Sequence, residues 1–239
     1  MVIKTKSIVL HSVKYTDNSI IVSLFTQQFG KISCLISGIH SKNSRFKNVL
    51  FQPLTMLEVE LSYKQNKNIQ TIKDIGIEKP FASIHENLYK QTIVLFINEI
   101  LNKTIKEGEI NDALFNFIHF SLQLLDTINL GIANFHLVFV GNLTKHLGFF
   151  PQNTYSSTTP FFNIKTANFQ SLKDAHCLEL SPSKLFTEIM ECDFTQLEKI
   201  ELNRQQRVEL LSGMIDFYML HLPGLKELKS LDVLQEVFS

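Results

Sequence analysis

Residues 57–63, with the sequence LEVELSY, decide the structural class of the first part of this chain. Leucine, valine and tyrosine alternate there with glutamate and serine, so one face of the segment is apolar and the other polar. This period of two is typical of a β-strand with one face on a core and the other in water. Related patterns predict four more strands, at residues 3–13, 20–24, 30–38 and 68–77.

Two short turns and one long connection join these strands. Residues 26–30 and 64–68 have the composition of hairpin turns, whereas residues 39–52 form a longer connection between the third and fourth strands. Five short strands with one long connection after the third match a small closed barrel of the oligonucleotide-binding (OB) type. An SH3-like barrel and a plain β-meander stay open, because strand count alone does not fix closure.

After Pro80 the apolar residues follow a helical period. Ser83, with Glu86 three residues later, has the form of a capping box at the start of the first helix. Further helices are predicted after Asn111 or Asp112, over 132–146, from Ser181, from Asn203 to Leu222, and over 231–237. Their apolar stripes are most simply the core of a bundle. The sequence therefore predicts an α+β protein, with a five-stranded OB-fold β-barrel over 1–80 and an α-helical domain over 81–239 that contains an irregular insertion at 151–180.

The charge is divided unevenly between these two parts. The chain has 239 residues, with 23 basic and 23 acidic side chains. Residues 1–80 contain 11 basic and 5 acidic side chains, a net charge of +6, and the remainder carries −6. A basic barrel on an acidic remainder indicates two modules with different partners. The alternative is a chance asymmetry of solvated surface.

Composition excludes several classes of protein. Hydrophobic residues make up 44% of the chain and charged residues 19%, which suits a packed core and argues against general disorder. No apolar run reaches the ~18 residues of a membrane span, and residues 1–10 lack the apolar segment of a secretory signal. Three cysteines without an evident pairing fit a reducing compartment. We therefore expect a cytoplasmic protein that does not enter a membrane.

Enzyme motifs do not occur. The sequence lacks a phosphate-binding P-loop, a G-x-S-x-G elbow, an H-E-x-x-H pair and a G-x-G-x-x-G turn. His176 and Cys177 are adjacent and Cys192 follows, but a metal site needs about four such ligands at workable spacing. An ordinary thiol and a surface histidine are the simpler interpretation. We expect no catalytic residue, no bound metal and no cofactor.

The basic residues of the predicted barrel indicate a nucleic-acid surface. In an OB barrel the second and third strands and the loops joining strands one–two and four–five form the binding face, where cations attract phosphates. An aromatic ring among these cations offers a platform on which a base can stack. Phe29 and Phe46 are next to these charges and could supply such a ring. The alternatives are lysines that are merely solvated and phenylalanines that are both buried. The candidates are Lys31, Lys42, Arg45, Phe46, Lys47, Lys64 and Lys67.

Fragments along nearly the whole chain, taken in order, resemble a known family. In the barrel they are residues 8–10, 17–26, 30–33, 44–46 and 52–54. Later ones are the Leu-Gly-Phe-Phe-Pro stretch at 147–151, the His-Leu-Pro-Gly stretch at 221–224, and residues 229–234. Their order and spacing resemble the bacterial recombination-mediator and DNA repair family RecO.

This resemblance implies a function as well as a fold. Members of the family bind single- and double-stranded DNA and anneal complementary strands. They work with RecR and with single-strand-binding protein to help load the RecA recombinase, which places them at the nucleoid. No catalytic residue comes with the resemblance. The basic positions that match the family's DNA-facing segment are Lys31, Lys42, Arg45 and Lys47.

The sequence departs from the family pattern in the insertion. Many members place four cysteines after the Gly-Phe-Phe-Pro-like stretch and bind zinc there. In this chain the region where the first pair would fall contains Asn153, Tyr155, Ser156 and Ser157, and only Cys177 lies near the second pair. We therefore predict that the insertion holds no zinc and is held instead by packing of Phe161, Phe162 and Phe169.

The helical domain is the expected site for a protein partner. The acidic, aliphatic tail of single-strand-binding protein needs an apolar groove with a nearby cation, for which Lys145, Arg204 and Arg207 are candidates. Both arginines could instead pair with glutamates on their own helix. Two other functions stay open at this point: an RNA-binding OB-fold adaptor and a scaffold that binds only proteins.

Overall fold

The fold is that of a computed structural model, which describes residues 2–39 and 48–238. Within these ranges the chain forms two compact units. The first unit contains the residues up to Glu86 together with residues 98–126, and the second contains residues 87–97 together with those from Thr127 onward. The division into domains after residue 80 stays a prediction.

Five strands close into a barrel in the first unit, as the sequence predicts. They are β1 (Ile3–Thr16), β2 (Ser19–Thr26), β3 (Gly30–Ser37), β4 (Met56–Ser62) and β5 (Ile69–Ile77). Around the barrel their order is β1-β2-β3-β5-β4, and β4 pairs with β1 to complete the circle. Neighbouring strands are antiparallel except β3 and β5, which run parallel. Closure excludes the open meander, and the long connection between β3 and β4 agrees with an OB-type barrel.

Alternate residues of the strands fill the barrel. In β4, Leu57, Val59 and Leu61 are fully buried, whereas Glu58 and Glu60 lie half-exposed on the outer side. A slip of one residue would turn these glutamates into the core, so the alternation fixes the register of the strand. The other strands, and a short 3-10 helix at Asn48–Phe51, complete this core.

Six helices and one small hairpin follow the barrel in the described part of the chain. They are α1 (Leu88–Thr104), α2 (Asp112–Thr127), α3 (Ile132–Leu147), β6 (Phe161–Asn163), β7 (Asn168–Gln170), α4 (Leu180–Glu191), α5 (Arg204–His221) and α6 (Lys229–Val237). A second 3-10 helix, Phe194–Lys199, lies between α4 and α5. The predicted caps at Asn111 and Asn203 are confirmed, because each side chain accepts a hydrogen bond from an amide three residues later.

The predicted capping box at Ser83 is wrong. The first helix begins at Leu88, and the side chain of Asn87 accepts a hydrogen bond from the amide of Lys90. The amides of residues 82–84 instead donate to the carboxylate of Asp126 at 2.8 to 3.0 Å. Because that carboxylate already satisfies these amides, Ser83 does not act as the cap of a helix.

The insertion is held by aromatic packing. Phe162 is fully buried and stacks on Phe186 of α4, with 4.2 Å between the ring centroids. It also contacts Phe217 of α5 and Phe169 of the hairpin. The predicted roles of Phe162 and Phe169 as packing residues are therefore confirmed, whereas Phe161 is only half-buried.

Candidate nucleic-acid interface and partner pocket

The loop between β4 and β5 presents two lysines to solvent. The buried side chain of Gln70 holds this loop, since its Oε1 accepts from the Lys64 amide and its Nε2 donates to the carbonyl oxygens of Lys64 and Lys67. The side chains of both lysines are exposed. Neither ammonium forms an ion pair with any residue in the ranges 2–39 and 48–238. The loop therefore presents two positively charged side chains to solvent, on a main chain that Gln70 holds by hydrogen bonds.

An aromatic pair lies beside these charges. The rings of Phe29, in the β2–β3 turn, and Tyr63, at the end of β4, stack with 4.1 Å between centroids and 16° between planes. Both are half-buried and pack against the barrel core. This pair joins the β2–β3 turn to the β4–β5 loop. The alternation at 57–63 predicts Tyr63 only as a strand residue, and its place next to Lys64 is the signal that could have indicated a site role.

Part of the outer face of β1, β2 and β3 is a patch of uncharged side chains. Val13 lies opposite Ile21, and Ile21 lies opposite Leu35 across the next strand pair. Ser23 and Ser33 form the neighbouring row. All five are exposed or half-buried, because the alternate residues of these strands fill the barrel. The alternation of residues along the predicted strands could have indicated this face.

Lys31 follows the β2–β3 turn as predicted, but its side chain has a partner that the sequence did not indicate. Its ammonium lies 2.6 Å from the carbonyl oxygen of Asn102 in the last turn of α1. The last carbonyls of a helix have no partner within the helix, and a cation stabilises that end. Burial lowers the pKa of Lys31, and the charge of Glu107 partly offsets this effect. The ammonium of Lys31 is therefore engaged within the first unit, and its role as a DNA contact stays a prediction.

The remaining candidates of the long connection, Lys42, Arg45, Phe46 and Lys47, lie outside the described residues. Their contribution to a nucleic-acid surface stays a prediction.

In the second unit, Arg207 borders a cavity of about 350 Å³. The cavity is lined by Tyr89, Ile132, Ala133, Arg207, Val237 and Phe238. The rings of Tyr89 and Phe238 lie 5.2 Å apart between centroids. A narrower crevice, which shares Arg207 and Phe238, adds Arg204 and Leu234 to the same region. We call the cavity and the crevice together the Arg207 pocket; it combines apolar side chains with Arg207 in both parts and Arg204 in the crevice.

The guanidinium of Arg207 is only partly satisfied. Its Nη1 donates to the carbonyl oxygen of Leu202 at 2.5 Å, whereas its Nε is buried without a partner among the described residues. Burial lowers the pKa of Arg207. Burial also lowers the pKa of His136 to about 3, with a further contribution from the charge of Arg207. His136 is thus neutral at neutral pH, so the charged guanidinium of Arg207 acts on an uncharged imidazole.

The three predicted partner cations do not share one site. Arg204 and Arg207 both border the crevice of the Arg207 pocket, and neither forms an ion pair with a glutamate among the residues that the structure describes. Lys145 does not line this pocket; its ammonium donates to Asn142 Oδ1 at 2.9 Å and lies 4.7 Å from the centre of the Phe150 ring. The geometry therefore groups the two arginines and separates Lys145 from them.

The described residues contain neither a metal cluster nor a membrane-spanning helix. Within residues 2–39 and 48–238 no group of three or more His, Cys, Asp or Glu side chains could hold a metal ion. In the same ranges no helix is both long and apolar enough to span a bilayer.

The insertion is also held by hydrogen bonds. The side chain of Asn163 in β6 donates to one carboxylate oxygen of Asp174, and the other oxygen accepts from the amide of His176. Hydrogen bonds thus join the two ends of the insertion.

Comparisons with known proteins agree along the chain. The family model described as "Recombination protein O N terminal" matches residues 1–81, and the one described as "Recombination protein O C terminal" matches residues 85–232. The chain is 39% identical over 240 residues to the DNA repair protein RecO of Flavobacterium psychrophilum, and 36% identical over 241 residues to that of Bacteroides fragilis. It is 30% identical over 247 residues to the protein of the same name from Porphyromonas gingivalis. All three matches cover 100% of both chains.

Proposed function

Because this chain belongs to the RecO family of DNA repair and recombination proteins, we propose that it acts as a recombination mediator. In this proposal it binds single- and double-stranded DNA, anneals complementary strands and helps load the RecA recombinase together with RecR and single-strand-binding protein. The observation that supports DNA binding best is the β4–β5 loop, whose main chain is hydrogen-bonded by Gln70 and which carries exposed Lys64 and Lys67 beside the stacked Phe29–Tyr63 pair.

The proposed contact is mainly to the phosphate backbone. Two ammonium groups on a fixed loop neutralise adjacent phosphates and release the condensed counterions, which supplies affinity for any sequence. The uncharged face formed by Val13, Ile21 and Leu35 lets a strand pass without repulsion and offers apolar surface to bases. Lys42, Arg45, Phe46 and Lys47 extend the same surface in this proposal.

Annealing follows from such a surface without catalysis. Contacts to phosphates leave the base edges free to pair with a second strand. Two strands bound on positive surface repel each other less, because part of their charge is neutralised. The protein then accelerates pairing by lowering an electrostatic barrier, and no residue needs to make or break a covalent bond. We therefore propose that it is not an enzyme and that it acts at the nucleoid in the cytoplasm.

The Arg207 pocket is the proposed site for single-strand-binding protein. An acidic, aliphatic peptide would place its apolar side chains against Tyr89 and Phe238 and its carboxylates against Arg207. The unpartnered Nε of Arg207 supports this assignment, because a buried guanidinium N–H needs an acceptor. Arg204, on the rim, adds a second charge. Partnership with RecR rests on family membership.

A salt titration tests the proposal. Fluorescence anisotropy would be measured for labelled single-stranded DNA, double-stranded DNA and single-stranded RNA of matched length. We expect both DNA probes to bind at low salt and to weaken steeply as salt rises. Preferential binding of RNA would favour the adaptor alternative, since the 2′-hydroxyl is the distinguishing group. The absence of binding to any probe at low salt would favour the protein-only scaffold.

A further inference from the structure

A second cavity in the helical unit has a chemistry opposite to that of the Arg207 pocket. Its volume is about 410 Å³, and it lies between α4, the 3-10 helix Phe194–Lys199 and the segment that precedes α5. Its apolar lining consists of Leu185, Ile189, Ile200 and Leu202. We call this cavity the α4 groove.

The rim of the α4 groove is acidic. Glu188 and Glu201 line it and are exposed, and Lys199 is the one cation among its lining residues. Glu188 has a weak ion pair with Lys184, at 3.9 Å and with both side chains more than half exposed. Residues 184–202 contain five acidic side chains and two lysines. The groove therefore combines aliphatic walls with an excess of negative charge.

Cys192 lies within this acidic surrounding. Its thiol lines the groove and is half-buried. Burial raises its pKa, and the charges of Glu188, Asp193 and Glu191 raise it further. Three carboxylates are thus close enough to Cys192 to act on its thiol. Asp193 also accepts a hydrogen bond from the amide of Thr195, which keeps one of these charges in place.

These features select one kind of occupant. Phosphates would be repelled by Glu188 and Glu201, so nucleic acid does not fit the groove. The acidic tail that suits the Arg207 pocket is excluded for the same reason. We infer that the α4 groove docks a basic, aliphatic segment of a partner protein, whose apolar side chains lie against Leu185 and Ile200 and whose cations meet the two glutamates. Helix-in-groove recognition of this kind uses apolar anchors at helical spacing with charges beside them.

This inference goes beyond the proposed function and does not depend on it. The groove would give the protein an additional protein-binding surface, selective for positive charge, alongside the DNA surface and the pocket for an acidic tail. Its occupancy is not expected to change the DNA affinity of the first unit.

The thiol that lines the groove provides the experiment. Cys34 is fully buried, so in a Cys177→Ser background Cys192 is the remaining accessible thiol of the described residues. The probe is a synthetic amphipathic peptide built only from leucine and lysine, and its control has glutamate in place of every lysine. We expect the lysine peptide to slow maleimide labelling of Cys192 in the full-length protein, with an effect that fades as salt rises. The glutamate peptide should leave the labelling rate unchanged.

Charge reversal at the rim completes the test. The paired substitutions Glu188→Lys and Glu201→Lys should weaken binding of the lysine peptide by about tenfold. The matched pair Glu86→Lys and Glu209→Lys, at exposed positions outside the groove, changes the net charge equally and should leave the affinity unchanged. No protection of Cys192 by the lysine peptide would overturn the inference. Equal protection by both peptides, or protection that survives reversal of the rim, would overturn it as well.

Discussion

The ammonium of Lys31 lies 2.6 Å from the main-chain carbonyl oxygen of Asn102 in the last turn of α1. A cation from the third strand of the barrel thus satisfies the C-terminal end of a helix, through a residue 71 positions later in the chain. The carbonyl oxygen of Lys31 also accepts a hydrogen bond from the amide of Gly108, just beyond that helix. Lys31 therefore helps to hold residues 102–108 against the barrel.

Replacing Lys31 by glutamine should lower the stability of the first unit while leaving DNA affinity unchanged. The expected loss is about 1 kcal/mol, because a half-buried charge-assisted hydrogen bond is removed. Urea unfolding would measure the loss. The matched substitution Lys67→Gln, at an exposed loop position, should leave the unfolding midpoint unchanged. If the Lys31→Gln variant kept its stability but bound DNA more weakly, Lys31 would act as a DNA contact and not as a structural residue.

Gly30→Ala should destabilise the barrel strongly. The residue has φ of 65°, and a Cβ there would lie 2.3 Å from the carbonyl oxygen of Glu109. The left-handed conformation costs about 1–2 kcal/mol for alanine, and the contact with main-chain atoms adds to it. Gly38→Ala is the control, because Gly38 has φ of 82° but its Cβ would meet no atom within 4 Å. Thermal unfolding should show the larger loss at Gly30, and equal losses at the two positions would contradict the close contact.

Asp126→Asn should weaken the segment before α1 in a pH-dependent way. Burial alone would raise the pKa of Asp126, but the hydrogen bonds from the amides of residues 82–84 outweigh it and lower the pKa below its ordinary value. The ionised form therefore stabilises the fold above the unfolded-state pKa of about 4, and this contribution is lost as pH falls through the folded-state pKa. We expect the difference in unfolding free energy between wild type and variant to be largest at neutral pH and to shrink in acid. A difference independent of pH would contradict this account.

His136→Leu should remove part of the acid sensitivity of the second unit. Burial and the charge of Arg207 lower the pKa of His136 to about 3, and its ring is enclosed by Phe96 and Phe238. Between the unfolded-state pKa of about 6.5 and about 3, only the unfolded state binds the proton, so stability falls as pH decreases, by up to about 1.4 kcal/mol per pH unit. The variant should have a flatter profile of unfolding free energy in this window. An unchanged slope would show that His136 is protonated in the folded state.

The sequence predicted the barrel well because its strands carry local signals. The alternation at 57–63 and the turns at 26–30 and 64–68 depend on neighbouring residues, and each is confirmed by the pairing of β2 with β3 and of β4 with β5. The caps at Asn111 and Asn203 also depend on nearby residues, because each side chain bonds an amide only three positions later.

The failures concern contacts between residues far apart in the chain. Ser83 has a local capping pattern, but Asp126, which lies 43 positions away, binds its amide instead. The partner of Lys31 is a carbonyl group, which carries no signature in the amino-acid sequence. Among the candidate site residues, Lys64 and Lys67 lie where the turn predicted them, whereas the stacking of Phe29 on Tyr63 depends on closure of the barrel.

The proposed DNA surface is tested most directly by the paired substitutions Lys64→Glu and Lys67→Glu. The control pair, Lys165→Glu and Lys226→Glu, makes the same change in net charge at exposed positions of the second unit. Single-stranded DNA affinity would be measured as a function of salt, and annealing of complementary strands would be followed by fluorescence. We predict that the loop pair weakens binding, makes the salt dependence less steep by about 0.7 per lost phosphate contact, and slows annealing, while the control pair does none of these. Wild-type binding and annealing by the loop pair would contradict the account.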